Sequence, residues 1–145
     1  MRRPQRATRE NLGYLLAKAT QRWNELLYAE LVQEGFPEVR PSYGSVLIPL
    51  FEEDGLRMGE LAARARLAKQ TMTTIIRLAE RDGLVRRERD PEDGRAFRIF
   101  LTARARSFQP VAERVLARLD ARVERRLSTA EREVLTTSLQ EVMSL

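Results

Sequence analysis

Residues 56–102 read LRMGELAARARLAKQTMTTIIRLAERDGLVRRERDPEDGRAFRIFLT, a stretch that contains two short helical patterns followed by a change of period. In the first pattern, Met58, Leu61 and Ala65 form a narrow apolar stripe at helical spacing. A helix of this length is too short to be stable alone in water. We therefore expect it to pack against a neighbouring element.

A second helical pattern covers about residues 68–82, and Gly83 supplies the left-handed residue that commonly ends a helix. Its apolar residues recur at the three-and-four spacing of one buried face, namely Met72, Ile75, Ile76 and Ala79. The opposite face has no carboxylate before Glu80, and its donors and small hydroxyls suit the base edges and phosphates of a DNA major groove. The candidate DNA contacts on this face are Lys69, Gln70, Thr71, Thr73, Thr74 and Arg77.

Beyond Gly83 the pattern changes from helical to strand-like. Basic residues fill the run 85–89, the turn sequence DPEDG follows at 90–94, and residues 95–101 alternate loosely between charged and apolar. This pattern predicts a β-hairpin with a flexible tip. Arg95 lies just past the tip, where a long cation can reach a minor groove. Two short helices followed by such a hairpin are typical of a winged helix-turn-helix.

At these residues the chain resembles the MarR family of bacterial transcription regulators. The resemblance rests on GELAARARLAKQTMTTIIRLAERDGLVRR and, above all, on DPEDGRAFRIFLT, which is similar to the family's wing signature. It implies that residues 69–77 enter the major groove and that Arg95 enters the minor groove. It also implies that Asp93 pairs with a basic residue to hold the hairpin. Arg87 matches an arginine at the base of the first wing strand and is a further candidate DNA contact.

Four residues depart from the family pattern. Ala68 stands where many relatives have a capping serine or threonine, Arg66 stands where glycine is usual in the turn, and Arg57 replaces the usual cap of the preceding helix. Each lost cap costs about 1 kcal/mol, which weakens helix ends without contradicting the fold. Thr74 occupies a position where relatives often have arginine, so we expect a different pattern of base contacts.

The net charge of +5 is concentrated in the candidate DNA-binding segment. Residues 57–106 hold 13 lysines and arginines against 7 acids, whereas residues 1–56 hold 7 against 8 and residues 107–145 hold 6 against 6. A basic segment between near-neutral flanks is typical of a polyanion-binding module. The alternative is a solvated surface in a protein from an arginine-rich genome. The flanking segments are also rich in arginine, however, and their positive and negative charges nearly cancel.

The residue types also exclude several kinds of site. The chain has no cysteine and no histidine, which excludes disulfides, thiol redox sensing and the usual zinc sites. Without these residues, no serine or threonine has an evident activating base apart from lysine or a carboxylate, so we expect no enzyme activity and no cofactor. No apolar run approaches the length of a membrane span and no signal peptide is evident, so we expect the cytoplasm.

Long helical patterns lie on both sides of the basic segment. Residues 8–33 predict one helix about 38 Å long, and residues 103–145 predict two more, the first kinked by Pro110. Ser128 with Glu131 forms a capping-box arrangement at the start of the last helix. These helices carry more apolar surface than one small winged helix can cover. They therefore predict pairing with a second copy, with an intramolecular bundle on a monomer as the alternative.

The sequence thus predicts one mainly α domain over residues 1–145, with a small β-hairpin wing. About residues 42–102 form the winged helix-turn-helix, and about residues 8–35 and 103–145 form the dimerisation helices. A dimer would place two recognition helices on successive major-groove faces of a near-palindrome in double-stranded DNA. We therefore expect a sequence-specific transcription regulator that acts as a ligand-responsive, homodimeric repressor. The alternative is a winged helix that binds another protein and does not bind DNA specifically.

The resemblance further implies a small effector, often aromatic or anionic, in a cleft between the dimer helices and the winged helix. We expect a lipophilic compound that releases DNA. Each candidate side chain has plain core or dimer packing as its alternative role, because aromatic residues on amphipathic helices usually fill space. The candidates are Tyr14, Trp23, Phe36, Tyr43 and Leu47.

Overall fold

The computed structural model describes residues 7–145, which form six α-helices and a three-stranded antiparallel sheet. The predicted mainly α fold with a hairpin wing is confirmed. None of the helices in this range is both long enough and apolar enough to cross a membrane. In chain order the elements are α1 (Leu12–Gln33), a 3₁₀ turn (Pro41–Tyr43), α2 (Gly44–Glu52), β1 (Leu56–Arg57), α3 (Met58–Ala65), α4 (Lys69–Arg81), β2 (Val85–Arg89), β3 (Phe97–Leu101), α5 (Ala103–Glu124) and α6 (Thr129–Met143).

The helices α2, α3 and α4 pack around one apolar core. The face of α4 that the sequence predicts as buried does point into this core, where Met72, Ile76 and Ala79 are almost fully covered and Ile75 is partly covered. Burying one such aliphatic side chain contributes about 1.5–3 kcal/mol, so this face fixes the rotation of α4 about its axis. Other fully covered side chains from the 3₁₀ turn, α2 and α3 include Tyr43, Val46, Leu47, Leu50 and Leu61.

The sheet has the strand order β1-β3-β2, so the second wing strand lies in the middle. The hairpin pairs Val85 with Leu101 and Arg89 with Phe97, as expected for two antiparallel strands joined by the turn at 90–96. The short strand β1 pairs Leu56 with Ile99 on the other edge. This strand joins the wing to the residues that immediately precede α3.

The predicted start of the first helix is wrong by a few residues. Helix α1 begins at Leu12, not near Thr8, because the side chain of Asn11 caps it by accepting a 2.9 Å hydrogen bond from the Gly13 N–H. Helix α2 begins at Gly44, after a separate 3₁₀ turn that starts at Pro41. Both α2 and α5 continue through their internal prolines as single helices.

The predictions about helix caps agree with the structure. Ser128 Oγ accepts from the Glu131 N–H at 3.2 Å, and Glu131 Oε1 accepts from the Ser128 N–H at 3.2 Å. This confirms the capping box at the start of α6. Ala68 provides no side-chain cap for α4. Arg66 has a φ of +54°, the left-handed conformation for which glycine is the usual residue.

Helices α1 and α6 leave much of their apolar surface open to solvent. Leu12 on α1 is 56% exposed, and Val134 and Met143 on α6 are 66% and 63% exposed. No residue of α6 is buried. An apolar groove of about 650 Å³ runs between α1, the end of α5 and α6, and Trp23 and Leu139 are among the residues that line it.

Candidate nucleic-acid interface

The solvent face of α4 carries the side chains predicted to contact DNA. Lys69, Gln70, Thr71, Thr74 and Arg77 are exposed, and Thr73 is half-buried. This orientation follows from the apolar face described above, because residues between the buried positions must point outward. The N-terminal N–H groups of α4 lack a side-chain cap, and the positive end of the helix dipole favours a nearby phosphate.

Three of the cations predicted to contact DNA have no ion-pair partner within the part of the chain that the structure describes. Lys69, Arg77 and Arg95 have no carboxylate oxygen within 4 Å among residues 7–145. Lys69 and Arg77 lie on α4, and Arg95 lies at the tip of the hairpin. An exposed cation without an internal partner can contact a phosphate without breaking an ion pair. These three side chains are therefore available for charge-assisted contacts.

Arg87 differs from these three residues because it already has partners within the protein. Its Nε lies 3.1 Å from Glu80 Oε2, and its guanidinium lies 5.5 Å from the centre of the Phe97 ring. The side chain therefore links the end of α4 to the wing. A contact between Arg87 and DNA would compete with the ion pair to Glu80. The sequence pattern does not indicate this ion pair.

The acid that ties the wing to the helices is Asp90, which the sequence analysis did not select. Its carboxylate is buried, and Oδ2 lies 2.6 Å from Arg57 Nε and 3.4 Å from Arg98 Nε. Oδ1 accepts from the Glu92 N–H at 3.0 Å. This backbone hydrogen bond, helped by the two arginines and opposed by burial, lowers the pKa of Asp90. We call Asp90, Arg57 and Arg98 the wing clamp.

Asp93, the predicted wing acid, has a more local contact. Its carboxylate accepts from the Arg95 N–H at 3.0 Å, and its carbonyl accepts from the Ala96 N–H at 3.0 Å. Within residues 7–145 no basic side chain pairs with it. The expected ion pair is therefore absent from this part of the chain, and Asp93 shapes the hairpin tip through backbone hydrogen bonds.

The five candidate effector residues do not line one common cleft. Tyr14 is exposed on α1, Trp23 lines the groove beside α6, and Leu47 lines a different cavity. Phe36 is buried against Phe108, with ring centres 5.1 Å apart. The alternative role of core packing therefore describes Phe36 better than a place in a cleft.

Tyr43 is also buried, and its hydroxyl has a specific partner. Tyr43 Oη donates to Asp82 Oδ2 at 2.5 Å, and Asp82 follows the last residue of α4. Burial, together with this hydrogen bond, raises the pKa of Tyr43 to about 12. The bond connects the 3₁₀ turn before α2 to the end of α4.

The cavity at Leu47 is small and apolar. Its volume is about 70 Å³, its walls come mainly from α1, α2 and α5, and Arg40 is among the lining residues. Sequence reasoning missed Arg40, which lies in a loop without a pattern. Among residues 7–145 no group of three or more acidic, histidine or cysteine side chains is arranged to hold a metal ion.

Comparisons with known proteins give one consistent result. The model of the MarR family matches residues 50–96. The HTH-type transcriptional repressor Rv2887 of Mycobacterium tuberculosis is 35% identical over 95 residues, which are 66% of this chain and 68% of that repressor.

Solved structures agree over nearly the whole chain. The PcaV transcriptional regulator from Streptomyces coelicolor, in complex with its natural ligand, has a TM-score of 0.82 and 22% identity over 97% of this chain and 98% of its own. The transcriptional repressor CouR, bound to a 23-mer DNA duplex, has a TM-score of 0.78 and 25% identity over 97% of this chain and 99% of its own. The chain therefore belongs to the MarR family of winged helix-turn-helix transcription regulators.

Proposed function

We propose that the chain is a ligand-responsive repressor that binds a near-palindromic operator as a homodimer. In each half-site α4 enters the major groove and Arg95 enters the minor groove. The observation that carries this proposal is the combination, within residues 7–145, of exposed cations without an ion-pair partner on α4 (Lys69 and Arg77) and on the wing (Arg95). CouR, a relative of similar fold, was solved on a DNA duplex. Because the partner is DNA, the proposed compartment is the bacterial cytoplasm.

The proposed contact surface comprises Lys69, Gln70, Thr71, Thr73, Thr74, Arg77 and Arg95, with Arg87 as a contact that must leave Glu80. Phosphate contacts make DNA affinity fall as salt rises. The logarithm of the binding constant falls with the logarithm of the salt concentration, with a slope of about −0.9 for each phosphate neutralised. A fluorescence-anisotropy titration with duplex DNA at several salt concentrations measures this slope. A winged helix that serves only protein contact would give no binding at low salt.

The two lysines of the chain provide a matched pair for this test. Lys69 lies on the exposed face of α4, whereas Lys18 lies on α1, where its Nζ donates to Gln21 Oε1 at 3.0 Å. We expect Lys69→Ala to weaken binding and to reduce the salt slope by about 1. We expect Lys18→Ala to change neither quantity. Equal effects of the two substitutions would contradict the proposed interface.

The exposed apolar surface of α1 and α6 supports the homodimer. We propose that about residues 8–35 and 103–145 pair with a second copy, while about residues 42–102 contact DNA. Leu139→Glu, which places a charge in the groove beside α6, is expected to convert the dimer to a monomer in light scattering after size exclusion. Gln140→Glu adds the same charge at an exposed neighbouring position and is expected to remain dimeric. A wild-type monomer would overturn this part of the proposal.

The cavity at Leu47 is the proposed effector site. The apolar walls suit a small aromatic or lipophilic compound, and Arg40, which also lines the cavity, would have to turn its guanidinium inward to pair with an anionic group on it. A cavity of about 150 Å³ holds one benzene ring, so such a ligand would have to widen this cavity of about 70 Å³. Tyr43 and Phe36, as neighbouring core residues, would then shift when the cavity widens. Tyr14 and Trp23 would not contact the ligand.

Thermal-shift screening of aromatic acids, followed by DNA-release assays, tests the effector site. We expect at least one acid to raise the melting temperature and weaken DNA binding, and Arg40→Gln to abolish both effects. Arg22→Gln is the control, because Arg22 lies on the exposed side of α1 and pairs there with Glu25 at 3.3 Å. A screen in which no acid changes either quantity would count against the effector site.

A further inference from the structure

The two central threonines of α4 use their hydroxyl hydrogens inside the protein. Thr74 Oγ1 donates to the Gln70 carbonyl at 3.1 Å, and Thr73 Oγ1 donates to the Lys69 carbonyl at 2.8 Å. A threonine hydroxyl has one hydrogen to donate. Neither side chain therefore offers a free donor to a base while these bonds persist.

The two threonines nevertheless differ in their surroundings. Thr73 is half-buried, and its Oγ1 also lies 3.4 Å from Met58 Sδ on α3. Thr74 is exposed, one helical turn beyond Gln70 and three residues before Arg77, both of which are also exposed. Thr74 therefore lies in the middle of the solvent face, between two longer polar side chains.

The chemistry of the major groove decides what such a side chain can recognise. The N7 and O6 atoms of guanine and the O4 atom of thymine are acceptors that require a donor, which Thr74 does not have free. The 5-methyl group of thymine instead requires an apolar partner, and the threonine methyl is a suitable one. The Thr74 oxygen can still accept from adenine N6 or cytosine N4, but its lone hydrogen is held by the helix, and the methyl group has no partner within the fold.

We propose that Thr74 recognises the 5-methyl group of one thymine in each half-site through its own methyl group. Gln70 and Arg77, on either side, supply the hydrogen bonds to neighbouring bases or phosphates. This inference rests on the proposed function, because it requires α4 to lie in the major groove. It makes Thr74 a specificity residue that acts by shape and not by hydrogen bonding.

The first test uses deoxyuridine, which differs from thymidine only by the missing methyl group. A duplex is selected from a random pool with the wild-type protein, and each thymine is then replaced in turn by deoxyuridine. We expect one replacement in each half-site to weaken binding about four-fold, the effect of burying one methyl-sized group. If no replacement changes the affinity of a duplex that still binds, the inference is overturned while the proposed function stands.

Two substitutions then separate the methyl group from the hydroxyl. Thr74→Val keeps a methyl group and removes the hydroxyl, so we expect it to retain the deoxyuridine effect. Thr74→Ser keeps the hydroxyl and removes the methyl group, so we expect it to bind thymine and deoxyuridine duplexes equally at that position. The wild-type protein, titrated with the same pair of duplexes, is the reference for both substitutions.

The opposite pattern has a distinct meaning. If Thr74→Val loses the deoxyuridine effect and Thr74→Ser keeps it, the hydroxyl is the recognising group and the inference is wrong. If the wild-type protein selects and binds no duplex at low salt, the proposed function fails and this inference fails with it. Circular dichroism and a melting temperature for each variant establish that its helix content and stability match wild type before affinities are compared.

Discussion

Substitution of Gly55 by alanine is expected to destabilise the protein more than the same change at other turn glycines. Gly55 lies in the turn between α2 and β1, with a φ of +71°. A Cβ at this position would lie 2.8 Å from Phe100 Cε1 and 3.1 Å from Phe100 Cζ. The side chain of Phe100 is covered on one side by Arg86, whose guanidinium lies 4.9 Å from the ring centre. The ring therefore has restricted freedom to move aside.

The expected cost has two parts. A left-handed conformation costs an L-residue about 1–2 kcal/mol, and this is partly offset by about 0.4–1 kcal/mol because alanine restricts the unfolded chain. Crowding against a packed ring adds about 1–3 kcal/mol. The free energy of unfolding should then fall by about 3 kcal/mol, which corresponds to about 9 °C in melting temperature for a domain of this size.

Two other glycines isolate these parts. Gly35 has a φ of +87° but nothing within 4 Å of a Cβ, so Gly35→Ala should show the backbone cost alone, about 1 kcal/mol. Gly59 is the second residue of α3 and has open space around it, so Gly59→Ala should stabilise the protein slightly, by about 0.5 kcal/mol, through helix propensity. Urea unfolding at one protein concentration compares all three variants with wild type. Equal losses for Gly55→Ala and Gly35→Ala would refute the steric contribution of Phe100.

Three further changes probe the wing clamp, the Tyr43 hydrogen bond and the cap of α6. Asp90→Asn should weaken DNA binding more than Glu88→Gln in anisotropy titrations. Because the pKa of Asp90 is lowered in the folded state, its stabilising effect is present above the ordinary carboxyl pKa, disappears as the pH falls through the folded value, and should be missing from the acid unfolding curve of Asp90→Asn. Because the pKa of Tyr43 is raised to about 12, the stability from its bond to Asp82 is complete below the ordinary value of about 10 and is lost as the pH rises above it. Unfolding measured against pH should show this alkaline loss in wild type and not in Tyr43→Phe, which should also lose about 1 kcal/mol at neutral pH. Ser128→Ala should lower the unfolding free energy by about 1 kcal/mol in urea titrations, through loss of the α6 cap.

The parts of the fold that sequence predicts well are those set by local patterns. The three-and-four spacing of Met72, Ile76 and Ala79 gives both the extent of α4 and its buried face. The Ser128 cap is similarly readable, because its partner Glu131 lies one helical turn away. In each case the interaction that decides the structure joins residues close in sequence.

Features that depend on contacts between residues far apart in the chain cannot be predicted from local sequence patterns. Strand β1 has two residues, too few for an alternating pattern, and its partner Ile99 lies beyond the whole helix-turn-helix. Asp90 is similar, since Arg57 and Arg98 approach it only when the sheet is formed. The sequence therefore indicates Asp93, which matches the family's wing signature, as the wing acid, and it does not indicate the buried Asp90.

The candidate effector residues illustrate the same limit. An aromatic residue on an amphipathic helix can face a cleft, a core or a partner, and local spacing does not distinguish among these. Phe36 lies in the core because Phe108 on α5 meets it, a contact between segments far apart in the chain. Arg40 belongs to no sequence pattern. Its candidate role is recognised only because the structure places it beside Leu47 in the lining of the same cavity.

The wing clamp has a mechanical consequence. Because Asp90 joins the hairpin to Arg57, the residue directly before α3, a movement of the hairpin away from α3 and its neighbour α4 would have to break this ion pair. Each half of a dimer would then meet the duplex as one rigid body. Regulation would operate on the separation and tilt of two such bodies, and the shape of each would stay constant.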